Sequence, residues 1–489
     1  MGFRYNIPKY QIIPDEQIKI ISEYSFRILI ETGVKVYHNK ILDILSDHGA
    51  SVDKKSSTVK FNEEIINSAI KVANKKHILY GRNKNNTAEF GHETFNFNGS
   101  SGQYQIVDSE TNIRRSPTLK DLKDTVMIGE NLDCINMSGS LVVPSDVPFE
   151  VADILSFYYL LLLTSKPFTS WVFSGKNAKV IIEMMEIVSG SKNELRQYPF
   201  YEVFIEPISP LTLRKESLDI LIEFADAGLP VGFSPMVQTG ATGPCSLIGT
   251  MAQENAEILS GIIIAQLLKP GLPVTYGGIP HFFDMKAQMI SFGSPEQALM
   301  AAGMTQLGKY FGFPVYNNTG MSDSKCMDAQ YGIESAGTLA FGLMSGGDIF
   351  GHLGILGSDN AASLTQLIID NETASFYRRI FSGFDFGEIE ESFGEINDNI
   401  GGNFFGKELT LRNFRKSFWY PKLFDRAPWD TWVENGSKNI IEKAQEQKKK
   451  LLKEYKITPL DDEKLKELNK IIKGYCKYLS KESLKIPGI

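Results

Sequence analysis

The chain has 489 residues, 42% hydrophobic and 22% charged, with a formal net charge of −7. Such a composition supports a large globular core, and the acidic excess argues against nucleic acid or an anionic membrane as partner. The four cysteines, Cys134, Cys245, Cys326 and Cys476, lie far apart; this excludes a disulfide framework or a CxxC redox pair and fits a cytoplasmic setting.

In chain order, the N-terminus shows no apolar stretch of the secretory kind. Residues 1–77 read as a helical region: Asp15-Glu16 opens a run with Ile18, Ile21, Tyr24, Ile28 and Leu29 at helical spacing, and two shorter helices follow near 39–48 and 62–73. Residues 78–128 change character. Short alternating runs broken by Gly and Asn predict β-hairpins there.

From about residue 129 to 426 a longer rhythm takes over. Strand-like segments recur at Cys134–Met137, Phe168–Phe173, Glu202–Glu206, Val231–Met236, Val274–Gly277, Val315–Asn318 and Asp348–His352. Helical stretches separate them, among them Ser217–Ala227, Gln253–Leu268, Pro295–Tyr310, Tyr331–Met344 and Ser363–Ile380. Strand–helix alternation of this kind means parallel strands with crossover helices, and the number of units predicts an α/β (β/α)₈ TIM barrel. The eighth strand falls within 94–107 or beyond 385. No glycine-rich dinucleotide loop supports an open doubly wound sheet. Residues 427–489 form a helical tail whose mixed charges read as a solvated face. The apolar runs Leu155–Leu163 and Ile258–Leu268 are too short to span a bilayer, so no membrane association is expected.

Barrels place their chemistry at the C-terminal ends of the strands, which turns the rhythm into a set of candidate residues. The loop holding Gly240, Thr242 and Gly243 could offer backbone N–H groups to an anion, or be a tight turn that needs glycine. Tyr276, His281 and Phe282 could cage a methylated ammonium, or pack as core beneath a loop. Tyr104 and Trp171 are further aromatic candidates. Lys325 could meet an anionic group and Asp323 a cation, although an ordinary capping turn explains much of that loop. His352, between glycines at a strand end, could hydrogen-bond a substrate carboxylate; Glu206 could offset a cationic nitrogen. The six histidines show no metal-binding spacing, so no metal site is predicted.

Several short motifs then occur in one order: Val107–Arg115 with Thr118 and Asp121-Leu122, Pro207–Leu211, Gly240–Pro244, Gln253–Glu257, Pro270–Val274, Ser294–Glu296, Ser322–Lys325 with Asp328 and Gln330, and Asp370–Glu372. Together they resemble the trimethylamine methyltransferase family of corrinoid-dependent enzymes. The resemblance implies a barrel that moves a methyl group from a methylated amine to the Co(I) corrinoid of a small partner protein. Archaeal trimethylamine enzymes carry pyrrolysine; this chain is written in the common twenty residues. That departure points to the non-pyrrolysine branch and to donors such as glycine betaine. A homo-oligomer is also expected.

Overall fold

In the computed structural model the strand–helix rhythm becomes a closed barrel; residues 2–5, 9–108 and 110–479 are described, so Ser109 of the first motif lies outside them. The barrel strands are β1 (Thr94–Gly99), β2 (Ser138–Gly139), β3 (Phe168–Thr169), β4 (Val203–Ile205), β5 (Val231–Phe233), β6 (Val274–Gly278), β7 (Val315–Asn317) and β8 (Ile349–Leu353). Each is followed by a barrel helix: α1 (Leu119–Asn131), α2 (Phe149–Leu163), α3 (Gly175–Ser189, with a short helix Lys192–Gln197 after it), α4 (Lys215–Ala227), α5 (Leu247–Leu268), α6 (Pro295–Tyr310), α7 (Ala329–Ser345) and α8 (Leu364–Phe381).

Strands β4 to β8 pair in parallel in sequence order, and β8 closes onto β1 with Ile349 opposite Asn96 and Phe350 opposite Phe97. β1 meets β2 through a parallel bridge between Asn98 and Met137, and β2 pairs with β3. Between β3 and the stretch before β4, Phe168 N donates to Phe200 O at 3.2 Å. The strand absent from the seven-unit rhythm is therefore β1, inside the Gly- and Asn-rich hairpin stretch. Its sequence, TFNFNG, places Asn96 and Asn98 where other barrel strands carry aliphatic residues.

The hairpin formed by His77–Tyr80 and Thr87–Phe90 closes the N-terminal end of the barrel. Tyr80 N bonds Pro199 O ahead of β4, and Gly91 N bonds the Asp348 carboxylate ahead of β8. Its Leu79, Ala88 and Phe90 share one buried cluster with Met137, Ile279, Tyr316 and Ile349. A closed end leaves the other end, where the strands finish, as the only mouth that the barrel rule requires.

Helix α5 is buried continuously from Thr250 to Gln266. The N-terminal helices Asp15–Arg27 and Glu63–Val72 cover the face that an outer barrel helix normally turns to water, which explains its lack of a polar stripe. The tail helices Ile440–Glu454 and Asp462–Leu479 lie on the barrel of their own chain: Asn469 accepts from the Tyr158 hydroxyl on α2 at 2.6 Å. The connecting stretch after α8 is different. Its helices Ile389–Asn397, Glu408–Asn413 and Trp429–Glu434 bury nothing and leave Phe384, Phe386, Phe405 and Trp429 largely exposed. No helix among the described residues is long and apolar enough to cross a membrane.

Candidate active site in the barrel mouth

The mouth holds a small cavity of about 40 Å³. Its wall comes from the ends of consecutive strands. Asn98 and Ser100 lie two apart at the end of β1, so the strand period puts both on one face. Phe204 and Glu206 stand in the same relation at the end of β4. Trp171 follows β3, Ser234 follows β5, Ile279 follows β6, Tyr316 lies on β7 and His352 on β8.

Tyr316 is the centre of the aromatic part. Its ring lies 4.8 Å from that of Phe204, tilted by 57°, and 5.7 Å from the His352 ring, edge-on at 84°. Strand β8 is distorted here. The register with β1 shifts between Phe350 and Leu353, and His352 adopts a φ of 69°. A non-glycine residue in that region costs free energy and persists only where the surroundings hold it. The bulge turns the imidazole into the mouth, as bulges at barrel rims do. His352 Nε2 is buried without a hydrogen-bond partner among the described residues. Burial first, and then His281, push its titration down to about 4, so the ring is neutral at physiological pH.

The acidic part is Glu206 on the wall, with Asp359 behind it close enough to act on it. The Glu206 carboxyl, flanked by Phe204 and Tyr316 along the wall, has no hydrogen-bond or ion-pair partner among the described residues. Burial, and secondarily the Asp359 carboxyl, raise it to about 8. Asp359 sits on the loop after β8 with φ 62° and accepts a 2.6 Å hydrogen bond from Gln103 Nε2. Burial raises it to about 7, with the Gln103 bond opposing. Both carboxyls are therefore poised to lose a proton when a cation arrives. No lysine or arginine lines the cavity among the described residues.

Of the residues expected to meet substrate, the fold brings Glu206, Trp171 and His352 to this cavity. It does not bring the others. The Tyr276 ring faces outward from β6, where its hydroxyl donates to Asn255 Oδ1 on α5 at 2.9 Å. His281 is fully buried beside Phe292, with ring centroids 4.2 Å apart. Phe282 lies in a small sheet above the barrel, paired with Thr239 and Ser291, and Tyr104 is mostly exposed. The Gly240–Gly243 loop keeps its amides to itself: Ala241, Thr242 and Gly243 N–H all donate to Gln238 O, and Gly240 N–H to Gly243 O. Lys325 Nζ donates to Asp323 O at 2.7 Å and borders a separate surface groove with Arg114 and Asn112. Asp323 ties loops together, accepting from Phe292 N, Ser291 Oγ and Ser358 Oγ.

Tyr316, Phe204, Asn98 and Asp359 were missed. For two of them a signal existed: Asn98 is one of two asparagines in a strand between phenylalanines, and Phe204 shares a strand face with Glu206. Asp359 gave none, because only the loop after β8 brings it close enough to act on Glu206.

The short motifs mostly hold this mouth together. Glu254 on α5 accepts from Val237 N and Ile279 N, beyond β5 and β6, and burial holds its carboxyl well above the ordinary range. Glu257 accepts from Ser209 Oγ at 2.7 Å and Leu211 N at 2.8 Å in the loop after β4. Asp370 on α8 accepts from Gly354 N and the Tyr331 hydroxyl, each at 2.7 Å. Arg115 grips Asp121 at the start of α1 through two bonds of 2.7 Å. Each of these four carboxylates thus anchors the loop that follows a barrel strand.

The profile of the trimethylamine methyltransferase (MTTB) family matches residues 2–475. The chain belongs to that family. A glycine betaine methyltransferase of Desulfitobacterium hafniense (strain Y51) is 31% identical over 430 residues, 87% of this chain and 89% of the relative. A trimethylamine methyltransferase MttB of Methanosarcina barkeri (strain Fusaro / DSM 804) is 30% identical over 477 residues, covering 94% and 93%. The fold is that of the Methanosarcina barkeri monomethylamine methyltransferase MtmB, at TM-score 0.51 and 12% identity over 90% of this chain and 88% of that one. This family member is a methyltransferase built on a TIM barrel, as the motif order implied.

Proposed function

We propose that this methyltransferase takes a methyl group from a quaternary amine and delivers it to the Co(I) corrinoid of a small partner protein, releasing a tertiary amine. The observation that carries the donor class is the cavity wall: an unpartnered carboxyl, Glu206, next to the rings of Phe204 and Tyr316. Aromatic faces attract a quaternary ammonium, and a carboxyl inside the same enclosure adds to that attraction. Glycine betaine, the donor in the name of one relative, is the reference compound.

The corrinoid supplies the nucleophile: the N–CH₃ bond breaks with its electron pair staying on nitrogen, and the methyl group passes to cobalt. A quaternary nitrogen already carries its charge, so its departure requires no proton. The wall fits that division of labour. Among the described residues it contains no cysteine or lysine. What the barrel does is hold the ammonium, exclude water and fix the N–CH₃ direction.

Docking with the corrinoid protein and self-assembly belong to the same reading; the exposed aromatic residues between Phe384 and Trp429 support them. The test is the loss of the Co(I) absorbance of free cobalamin across a panel of methylated amines, sulfonium donors and trimethylamine. Consumption that needs the protein and a quaternary amine supports the reading. Turnover only with a sulfonium or with trimethylamine moves the donor class. Amine binding without any methyl transfer makes the barrel a binding protein.

A further inference from the structure

We infer that the donor is a quaternary ammonium without a carboxylate, such as tetramethylammonium or choline, with Glu206 as the countercharge that selects it. This rests on the methyl-transfer reading for the reaction, but the selection itself rests on the lining of the cavity.

The fold withdraws from a betaine carboxylate each of the three partners that the sequence offered for an anion. Lys325 is turned to the outer groove and bonded to Asp323 O. The amides of Gly240–Gly243 are consumed inside their own turn. His352 reaches the cavity but is held neutral there by burial. On the other side of the ledger stand two carboxyls, Glu206 on the wall and Asp359 close enough to act on it.

Once the ammonium has drawn the proton from Glu206, a second carboxylate in the same enclosure is opposed strongly, because the low local dielectric lengthens the reach of each charge. Glycine betaine carries its carboxylate one methylene from the ammonium. A nitrogen seated against Phe204, Tyr316 and Glu206 therefore carries that carboxylate into the same small space. A methyl group, as in tetramethylammonium, or a hydroxyethyl arm, as in choline, has no such conflict. The choline hydroxyl would also have partners on the wall: Asn98 Oδ1 and His352 Nε2 are buried there without hydrogen bonds among the described residues. Glu206, half-buried on the wall and without a partner among the described residues, is the group that a cation would complete.

The test combines calorimetric binding with methyl transfer to Co(I) cobalamin by the full-length protein. Four compounds are compared: tetramethylammonium, choline, glycine betaine, and 3,3-dimethylbutan-1-ol, the neutral carbon isostere of choline. Tetramethylammonium or choline should bind at least tenfold more tightly than glycine betaine. Glu206→Gln should weaken choline at least tenfold and leave the isostere within about twofold. Asp359→Asn, which keeps the Gln103 contact through its amide oxygen, should weaken choline less than Glu206→Gln.

Glycine betaine binding as tightly as choline overturns the inference while leaving the methyl-transfer reading intact. Unchanged choline affinity in a folded Glu206→Gln protein also overturns it. If choline binds in the expected order but no donor methylates cobalt, the selection stands and the methyl-transfer reading falls.

Discussion

Gly351 on β8 leaves the space that the Tyr316 hydroxyl on β7 occupies: a Cβ at position 351 would lie 1.7 Å from that oxygen. The two strands are neighbours in the barrel, so the absence of one side chain sets the position of an aromatic ring in the cavity. Gly351→Ala should push Tyr316 into the cavity or distort the β8 bulge. Overpacking of this kind costs about 1–3 kcal/mol. We expect donor affinity to fall by tenfold or more while circular dichroism stays that of the parent protein. Parent-like affinity would show that Tyr316 does not set the cavity wall.

Glu206 predicts a pH dependence of cation binding. Its carboxyl is held up to about 8, and a bound ammonium favours the charged form. Proton release therefore accompanies binding below that value. Affinity for tetramethylammonium should rise from pH 6 to pH 8 and level off above. The neighbouring titratable groups do not reverse this sign: Asp359, raised to about 7, acts in the same direction, and His352, lowered to about 4, stays neutral throughout. In Glu206→Gln the rise should be shallower. A flat calorimetric profile in the parent protein would sink this assignment.

The same carboxyl predicts a stability effect opposite to its effect on binding. The folded state holds the Glu206 proton up to about 8, while an unfolded glutamate releases it near 4.5. Between those values the folded state binds more protons than the unfolded one, so stability falls as pH rises through that window. Glu206→Gln removes the penalty. It should raise the Tm by a few degrees at pH 8.5 and change it little at pH 4.5, where the carboxyl is largely protonated in the folded state. A lower Tm at pH 8.5 would mean that Glu206 has a partner holding it in its charged form.

The aromatic contribution can be read separately. Phe204→Leu keeps an apolar side chain but removes the ring face beside Tyr316. Cation–π attraction amounts to about 0.5–2 kcal/mol depending on desolvation. Choline affinity should drop by roughly tenfold, about 1.4 kcal/mol, with 3,3-dimethylbutan-1-ol affected several-fold less. Equal losses for both ligands would assign Phe204 to shape alone.

The scaffold carboxylates should behave differently from those of the cavity. Asp370→Asn keeps one acceptor but meets Gly354 N and the Tyr331 hydroxyl with a weaker, neutral oxygen. Loss of charge-assisted bonds to a loop that carries Asp359 and follows His352 should lower Tm and weaken donor binding together. Glu206→Gln should instead separate the two, with binding falling as stability rises. A Tm for Asp370→Asn equal to that of the parent would show that α8 does not hold this loop.

The sequence by itself determined the barrel, the family and the loops in which chemistry could lie. Those properties are local or periodic: apolar runs of strand length alternate with helices, and short motifs keep their order along the chain. It also pointed to Glu206, Trp171 and His352, which the fold brings to the cavity, because each stands at the end of a strand and the barrel rule applies to such positions one at a time. Tertiary structure alone decided which way the rings turned. Tyr276 and His281 satisfy the same rule yet face α5 and Phe292, since a one-residue change of phase along a strand sends a side chain to the opposite face. It also decided the first barrel strand, whose asparagines disguise it as a hairpin, and the approach of Asp359 to Glu206. That approach joins residues more than a hundred positions apart across the barrel mouth, and no local pattern records it.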